Sequence, residues 1–327
     1  MVALYDFKRA SESSSAAVGS TPRIAVLVPC YNEAMTIKAV VESFQASLPE
    51  ATVYVYDNNS SDDTVQIARA SGAVVRTEPR QGKGQVVRRM FADIDADCYI
   101  LVDGDDTYDA TIAPSAANVV LDEGCDFVNI GRISTAVEAY RMGHRLGNQV
   151  LTNMVRLFFG RQSRDMLSGY KVLSRRFVKS FPAMSSGFEI ETELTVHALE
   201  MRMPMAELSA DYKERPTGST SKLRTFRDGF RILLLIARLI KDERPLQFFA
   251  VIGLVLCLLG VGLALPVVLT FVQTGLVPRL PTAVLSVGVV VLGWLSIFTG
   301  LILDVVTKAR QELKRLAYLS IERYAKL

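Results

Sequence analysis

Tyr99-Ile100-Leu101-Val102-Asp103-Gly104-Asp105-Asp106 is a short apolar run that stops abruptly at three aspartates interrupted by one glycine. A continuous apolar stretch of this length suits a strand buried on both faces of a parallel sheet. Upstream, Ile24 to Pro29 reads the same way and leads into a helical pattern from about Glu33 to Leu48. Thr52 to Tyr56 precedes a helix opened by Asp62, a residue type that caps helix N-termini. Ala73 to Arg76 precedes the loop Arg80-Gln81-Gly82-Lys83-Gly84 and another helix, and Phe127 to Ile130 gives a further strand. Strands alternating with helices predict an α/β domain: a Rossmann-like, mostly parallel sheet, helices on both faces, right-handed crossovers.

The composition limits what surrounds this domain. At 327 residues the chain is about twice the usual domain size, so at least two units are expected. Hydrophobic residues make up 50% and charged residues 22%, which excludes a wholly disordered chain. The mean hydropathy of +0.24 points to lipid contact. A formal charge of +3 is too balanced for a general nucleic-acid binder, so no nucleic-acid partner is expected. Cys30, Cys98, Cys125 and Cys257 form no CxxC pair, which gives neither a zinc spacing nor a disulfide framework, and reduced thiols are expected. The serine-rich first residues lack the apolar centre of a signal peptide and read as a flexible cytosolic tail, residues 1–22.

From Phe248 to Phe271 there are 24 residues without a charge, and a helix of that length crosses a hydrocarbon core about 30 Å thick. A second uncharged run, Pro281 to Leu303, follows a connection carrying Gly275, Pro278 and Arg279, so residues 247–304 predict a transmembrane hairpin. Lys241 and Arg244 precede it, and Lys308, Arg310, Lys314 and Arg315 follow it. By the positive-inside rule both flanks, both termini and the N-terminal α/β domain are expected on the cytoplasmic side of the cell (inner) membrane. Between Lys213 and Pro245 nine Lys/Arg face four Asp/Glu, a local excess of five. Phe226, Phe230, Leu233, Leu234, Ala237 and Ile240 recur there at helical spacing. Residues 223–246 therefore predict amphipathic helices at the membrane surface, or packed on the soluble domain. A cytoplasmic helix is expected over 305–327. Gly253, Gly260 and Gly262 would permit close helix packing between protomers, leaving a homo-oligomer open.

In an open parallel sheet, ligands bind outside the carboxyl ends of the strands, and there the chain places Asn32 and Glu33, Asp57, Asp103 and Asp105. Asp103 and Asp105 can turn toward one divalent cation, and hard carboxylate oxygens suit Mg²⁺ or Mn²⁺. Taken alone, Asp-x-Asp is equally an acidic turn. Lys83 between two glycines suggests a phosphate contact, yet the P-loop spacing is missing, and so is the Gly-x-Gly-x-x-Gly dinucleotide pattern after the first strand. ATPase and NAD chemistry are disfavoured.

Val26-Leu27-Val28-Pro29-Cys30-Tyr31-Asn32-Glu33, Asp57-Asn58-Asn59-Ser60-Ser61-Asp62-Asp63-Thr64 and Asp103-Gly104-Asp105 together resemble the family 2 glycosyltransferases with the GT-A fold. Asp165-Met166-Leu167-Ser168-Gly169-Tyr170-Lys171 and Glu214-Arg215-Pro216-Thr217-Gly218-Ser219-Thr220-Ser221-Lys222 resemble the branch that loads sugars onto polyprenyl phosphates. That branch includes dolichyl-phosphate mannose synthases and GtrB-type enzymes. The resemblance spans about Ile24 to Leu303 and implies a GT-A domain over 23–222. It implies that Pro29, Tyr31, Glu33 and Asp57 line a nucleotide-sugar pocket, with Lys83 near the diphosphate. Asp103 and Asp105 would hold the metal, and Arg215, Ser219 and Lys222 the acceptor phosphate, with Asp105, Arg215 and Lys222 the catalytic set. Asn58 departs from the second acid common after Asp57, and Thr107 stands where some mannose synthases have glutamine.

The implied reaction moves a hexose from an NDP-sugar, UDP- or GDP-linked, to a polyprenyl (undecaprenyl or dolichyl) phosphate. Such an acceptor reaches neutral pH largely as a dianion and needs no strong base. In Gly187-Phe188-Glu189-Ile190-Glu191 only one of the two acids can face the site, whether the segment is extended or helical. Arg132, Arg141 and Arg145 could add to an acceptor-phosphate site or form a solvated face. His144 and His197 lack ligand spacing and read as surface or core residues. Two rivals remain: a family 2 enzyme that glycosylates a lipid hydroxyl, which needs a true base, and a catalytically silent membrane scaffold.

Overall fold

The structure, a computed structural model, describes residues 21–133, 168–187, 189–211, 213, 234, 238, 241–322 and 324. In chain order the soluble part runs β1 (Ile24–Cys30), α1 (Ile37–Ser47), β2 (Thr52–Asp57), α2 (Thr64–Ala70), β3 (Val74–Thr77), α3 (Lys83–Asp93) and β4 (Cys98–Leu101). It continues through α4 (Ala113–Leu121), β5 (Phe127–Ile133), β6 (Lys171–Ser174), α5 (Arg175–Ser180), α6 (Ile190–Glu200) and β7 (Met205–Asp211). The expected amphipathic stretch, with Phe226, Phe230 and most of its neighbours, lies outside the described residues, as do Arg215, Ser219, Lys222, Arg141, His144 and Arg145.

Among the described residues seven strands form one sheet in the order β3-β2-β1-β4-β6-β5-β7. β1 pairs in parallel with β2 and with β4, β2 with β3, and β5 with β7. β6 runs antiparallel to both β4 and β5, so the sheet is mostly parallel with one reversed strand. Apolar side chains alternate between its two faces. Val26, Val28, Val53, Val55, Ile100 and Phe44 pack on one side, and Leu27, Tyr56, Tyr99, Leu101, Phe91 and Phe177 on the other. That division explains why the parallel strands read as unbroken apolar runs.

Helix starts differ from expectation by a few residues. α1 begins at Ile37, because Asn32 adopts a left-handed conformation (φ 52°) and residues 31–36 form turns. α2 begins at Thr64, two residues after Asp62, whose Oδ1 accepts the Thr64 amide at 3.1 Å. α3 includes Lys83 and Gly84, which the sequence reading assigned to the preceding loop.

The chain then forms α7 (Pro245–Thr274) and α8 (Leu280–Ser320), both long and apolar enough to cross a membrane. Only 11% of each apolar window is buried, so neither is the core helix of a soluble domain. Small residues recur every seven positions along the seam: Gly253 and Gly260 on α7, and Ser286, Gly293 and Gly300 on α8. A Cβ on Gly253 would sit 2.6 Å from the Gly293 carbonyl oxygen, and one on Gly260 2.6 Å from Val290 Cγ2. Gly253 and Gly260 are thus spent inside the hairpin and not between protomers, whereas Gly262 has nothing within 4 Å. α8 does not stop where its apolar run ends. It continues as one helix to Ser320, where buried Tyr318 joins the core beneath the sheet.

Candidate functional site

The strand order reverses beside β1, whose neighbours are β2 and β4, and the crevice outside the carboxyl ends of these strands is where an open sheet binds ligands. Asp57 ends β2, Pro29 lies near the end of β1 with Tyr31 and Glu33 just beyond, and Asp103 and Asp105 follow β4. Asn32 and Asp106 adopt left-handed conformations (φ 52° and 54°), which Asn and Asp tolerate better than most residues. Cross-links hold the rim. The Asn32 amide donates to Ser60 Oγ and the Glu33 amide to Thr64 Oγ1, both at 2.8 Å, and Thr36 Oγ1 donates to the Gly104 carbonyl at 2.7 Å. Tyr31 is exposed, and Asp57 is buried, accepting the Ser60 amide at 3.2 Å.

Asp105 is buried and accepts from Thr107 Oγ1 at 2.6 Å, so Thr107 orients the neighbouring carboxylate. The Lys83 ammonium bridges Asp103 Oδ1 and Glu191 Oε1. Burial alone would push Lys83 down, but the two carboxylates outweigh it and hold the ammonium above its ordinary range. Burial pushes Glu191 up, and Lys83 pulls it back. Glu191 is therefore the member of the Glu189/Glu191 pair that faces the site. Its participation was only half legible: two acids at alternating positions were visible, their partner 108 residues away was not.

Asp103 lies tight against Gly169, where a Cβ would sit 2.2 Å from Oδ2, and the Gly169 amide donates to Tyr108 Oη at 2.7 Å. Burial pushes the Tyr108 phenol far up, so it stays protonated. Asn58 accepts the Gly82 amide at 2.7 Å and donates to the carbonyls of Glu78 and Arg80, both at 2.8 Å, tying the end of β2 to the loop that delivers Lys83. The Lys213 amide donates to the Thr107 carbonyl at 2.9 Å, bringing the end of β7 to the acidic turn. Lys213 is the described residue nearest in sequence to Arg215.

No group of three or more His, Cys, Asp or Glu side chains suited to a metal occurs among the described residues. Two hard carboxylates on one turn, one of them already drawing a cation, do fit Mg²⁺ or Mn²⁺, ions that usually take their remaining ligands from water and substrate phosphates.

Residues 25–180 match Glycosyl transferase family 2. The glycosyltransferase AglJ of Haloferax volcanii is 32% identical over 296 residues, covering 90% of this chain and 97% of that protein. A dolichyl-phosphate hexose transferase of the same organism is 27% identical over 221 residues, 68% of this chain and 95% of that one. Glucosyl-3-phosphoglycerate synthase of Mycobacterium tuberculosis, crystallised with Mn²⁺, UDP-glucose and phosphoglyceric acid, superposes with a TM-score of 0.54 at 22% identity. The superposition covers 67% of this chain and 79% of that one, a likeness of fold. The chain belongs to glycosyl transferase family 2.

Proposed function

We propose that the protein is a membrane-bound inverting glycosyltransferase that moves a hexose from a UDP- or GDP-linked donor to a polyprenyl phosphate, with its catalytic domain and both termini cytoplasmic. The observation that carries this reading is Glu191. The buried acid that faces the crevice is committed to Lys83 and so is ill placed to act as a general base. A lipid hydroxyl would need such a base, whereas a phosphate monoester, with a second pKa near about 6, attacks as a dianion without one. A relative named dolichyl-phosphate hexose transferase and a pair of bilayer-length helices support a lipid acceptor.

Asp103 and Asp105 would hold a divalent cation, which when bound would supply positive charge against the departing nucleoside diphosphate. Lys83 adds a fixed positive charge at the same place, and Pro29, Tyr31, Glu33 and Asp57 shape the nucleotide end of the crevice. Arg215, Ser219 and Lys222 position the acceptor phosphate, while the apolar helices keep its tail in the bilayer, so proximity takes the place of proton chemistry. Attack opposite the leaving group inverts the anomeric centre.

The test is incubation of membranes with radiolabelled UDP- and GDP-hexoses and undecaprenyl phosphate, with and without EDTA. A mild-acid-labile labelled lipid is expected, absent with EDTA and absent with Asp103→Asn. No labelled lipid with any common donor would reject the assignment.

A further inference from the structure

Lys83 sits between two glycines packed closely against the backbone of Ser185 and Ser186. A Cβ on Gly82 would meet the Ser186 carbonyl oxygen at 2.2 Å, and one on Gly84 the Ser185 carbonyl oxygen at 2.3 Å. The Gly84 amide donates to the Ser186 carbonyl at 3.1 Å. The opposing segment is itself pinned, because Glu193 accepts the amides of Met184 at 2.8 Å and Ser185 at 2.7 Å. From this root the Lys83 side chain, 8% exposed, reaches between two carboxylates of unequal exposure. Glu191 is 7% exposed and Asp103 is 30% exposed, so Asp103 is the one open to an incoming ion.

An ammonium and a divalent cation on one carboxylate repel each other, and in a partly buried site that repulsion is poorly screened. We propose that Lys83 and the divalent cation compete for Asp103, and that Glu191 is the positioning residue that keeps Lys83 when the cation takes Asp103. The inference rests on the metal role given above to Asp103. Lys83, retained by Glu191 at the edge of the crevice, is then available to the donor's diphosphate. That anion relieves the repulsion, so cation and nucleotide favour each other's binding by a reciprocal factor.

The experiment titrates Mn²⁺ into the purified full chain in detergent, without sugar donor, and follows free Mn²⁺ by electron paramagnetic resonance. Lys83→Met is expected to tighten Mn²⁺ binding about tenfold, and added UDP or GDP to strengthen it far less than in the wild type. Glu191→Gln is expected to weaken Mn²⁺ several-fold in the wild-type background and to change nothing in the Lys83→Met background, since a residue acting only through Lys83 has no effect without it. Lys83→Gln carries the same expectation as Lys83→Met and serves where the apolar side chain does not fold.

Equal or weaker Mn²⁺ binding by the Lys83 variants overturns the competition while leaving the metal role of Asp103 standing. A Glu191→Gln effect that persists without Lys83 overturns the positioning role, because Glu191 would then act on the ion directly. Failure of every variant and the wild type to bind Mn²⁺ overturns both the metal role and this inference. Expected Mn²⁺ behaviour with no labelled lipid product overturns the acceptor reading alone.

Discussion

Asn58 shows how a residue that looks like a departure from a family pattern carries the local structure. Its amide is 4% exposed and makes one accepting and two donating hydrogen bonds across a loop of more than twenty residues. An aspartate keeps the acceptor for Gly82 but turns a second oxygen toward two carbonyls. Asn58→Asp is expected to cost about 2–3 kcal/mol, read as a fall in thermal midpoint, because two buried acceptors lose their donor. An unchanged midpoint would show that the loop finds other partners. Gly169 is the converse case, a position where nothing but hydrogen fits beside Asp103. Under the proposed reaction, Gly169→Ala is expected to displace that carboxylate and cut transfer to lipid about a hundredfold, as misplacements of about 1 Å at reacting centres do. Turnover within a few-fold of wild type would remove Asp103 from the reaction. The strand-end acids were legible because strand, turn and acid are contiguous in sequence. The partners of Asn58 and Asp103 were not, since they arrive from 20 to 66 residues away.

At the scale of one element, α6 is the helix whose role the sequence concealed. Ile190, Leu194 and Ala198 enter the core, but Glu191, Glu193 and His197 are buried as well, so no clean apolar stripe marks the helix. Each charged group answers to a different neighbour: Glu191 to Lys83, Glu193 to the amides of Met184 and Ser185, and Glu200 to Lys314 at 2.9 Å. His197 faces a cavity of about 840 Å³ between the domain and α8, with its ring 5.4 Å from Phe177 and 5.3 Å from Phe181. Burial, with Lys314 nearby, lowers the imidazole to about 3. Between the unfolded value of about 6.5 and this folded value the unfolded chain holds a proton that the folded one lacks. Stability is therefore lost as pH falls through that window, by about 2 kcal/mol at pH 5. Glu200, raised to about 7 by burial and by Glu243, has the opposite sign: its contribution is present below the unfolded value and is lost as pH rises through 7. His197→Gln removes only the first effect. The variant's thermal stability should improve relative to wild type as pH falls from 7.5 to 5, and parallel pH curves for the two proteins would show that the His197 imidazole takes up its proton as readily in the fold as in the unfolded chain.

Across the whole molecule, α8 is both an apolar helix long enough to cross a membrane and a strut against the soluble domain. At about 1.5 Å per residue its 41 residues reach about 60 Å, twice a hydrocarbon core. The sequence predicts a span that ends at residue 304 and a cytoplasmic helix over 305–327, and the structure joins the two segments in one helix. Asp304 and Lys308 pair at 2.8 Å with helical spacing where the charges begin. Its far end is anchored by Tyr318, 5% exposed, whose hydroxyl donates to buried Asp126 at 2.6 Å and whose ring lies under the guanidinium groups of Arg176 and Arg315. Arg176 Nε also donates to the Ile321 carbonyl at 2.7 Å. Under the proposed function, a helix seated this way would set how far the acidic turn stands from the bilayer and how it is tilted toward a tethered acceptor. Tyr318→Phe keeps the ring and removes one donor from a buried carboxylate, a cost of about 1–3 kcal/mol. Tyr318→Ala empties the seat at about 3–5 kcal/mol. Under the proposed reaction, the alanine variant should lose at least about tenfold more transfer to polyprenyl phosphate in vesicles than to the same lipid in detergent micelles, where the acceptor can approach from any direction. Equal losses in the two settings would mean that the strut stabilises the domain without aiming it.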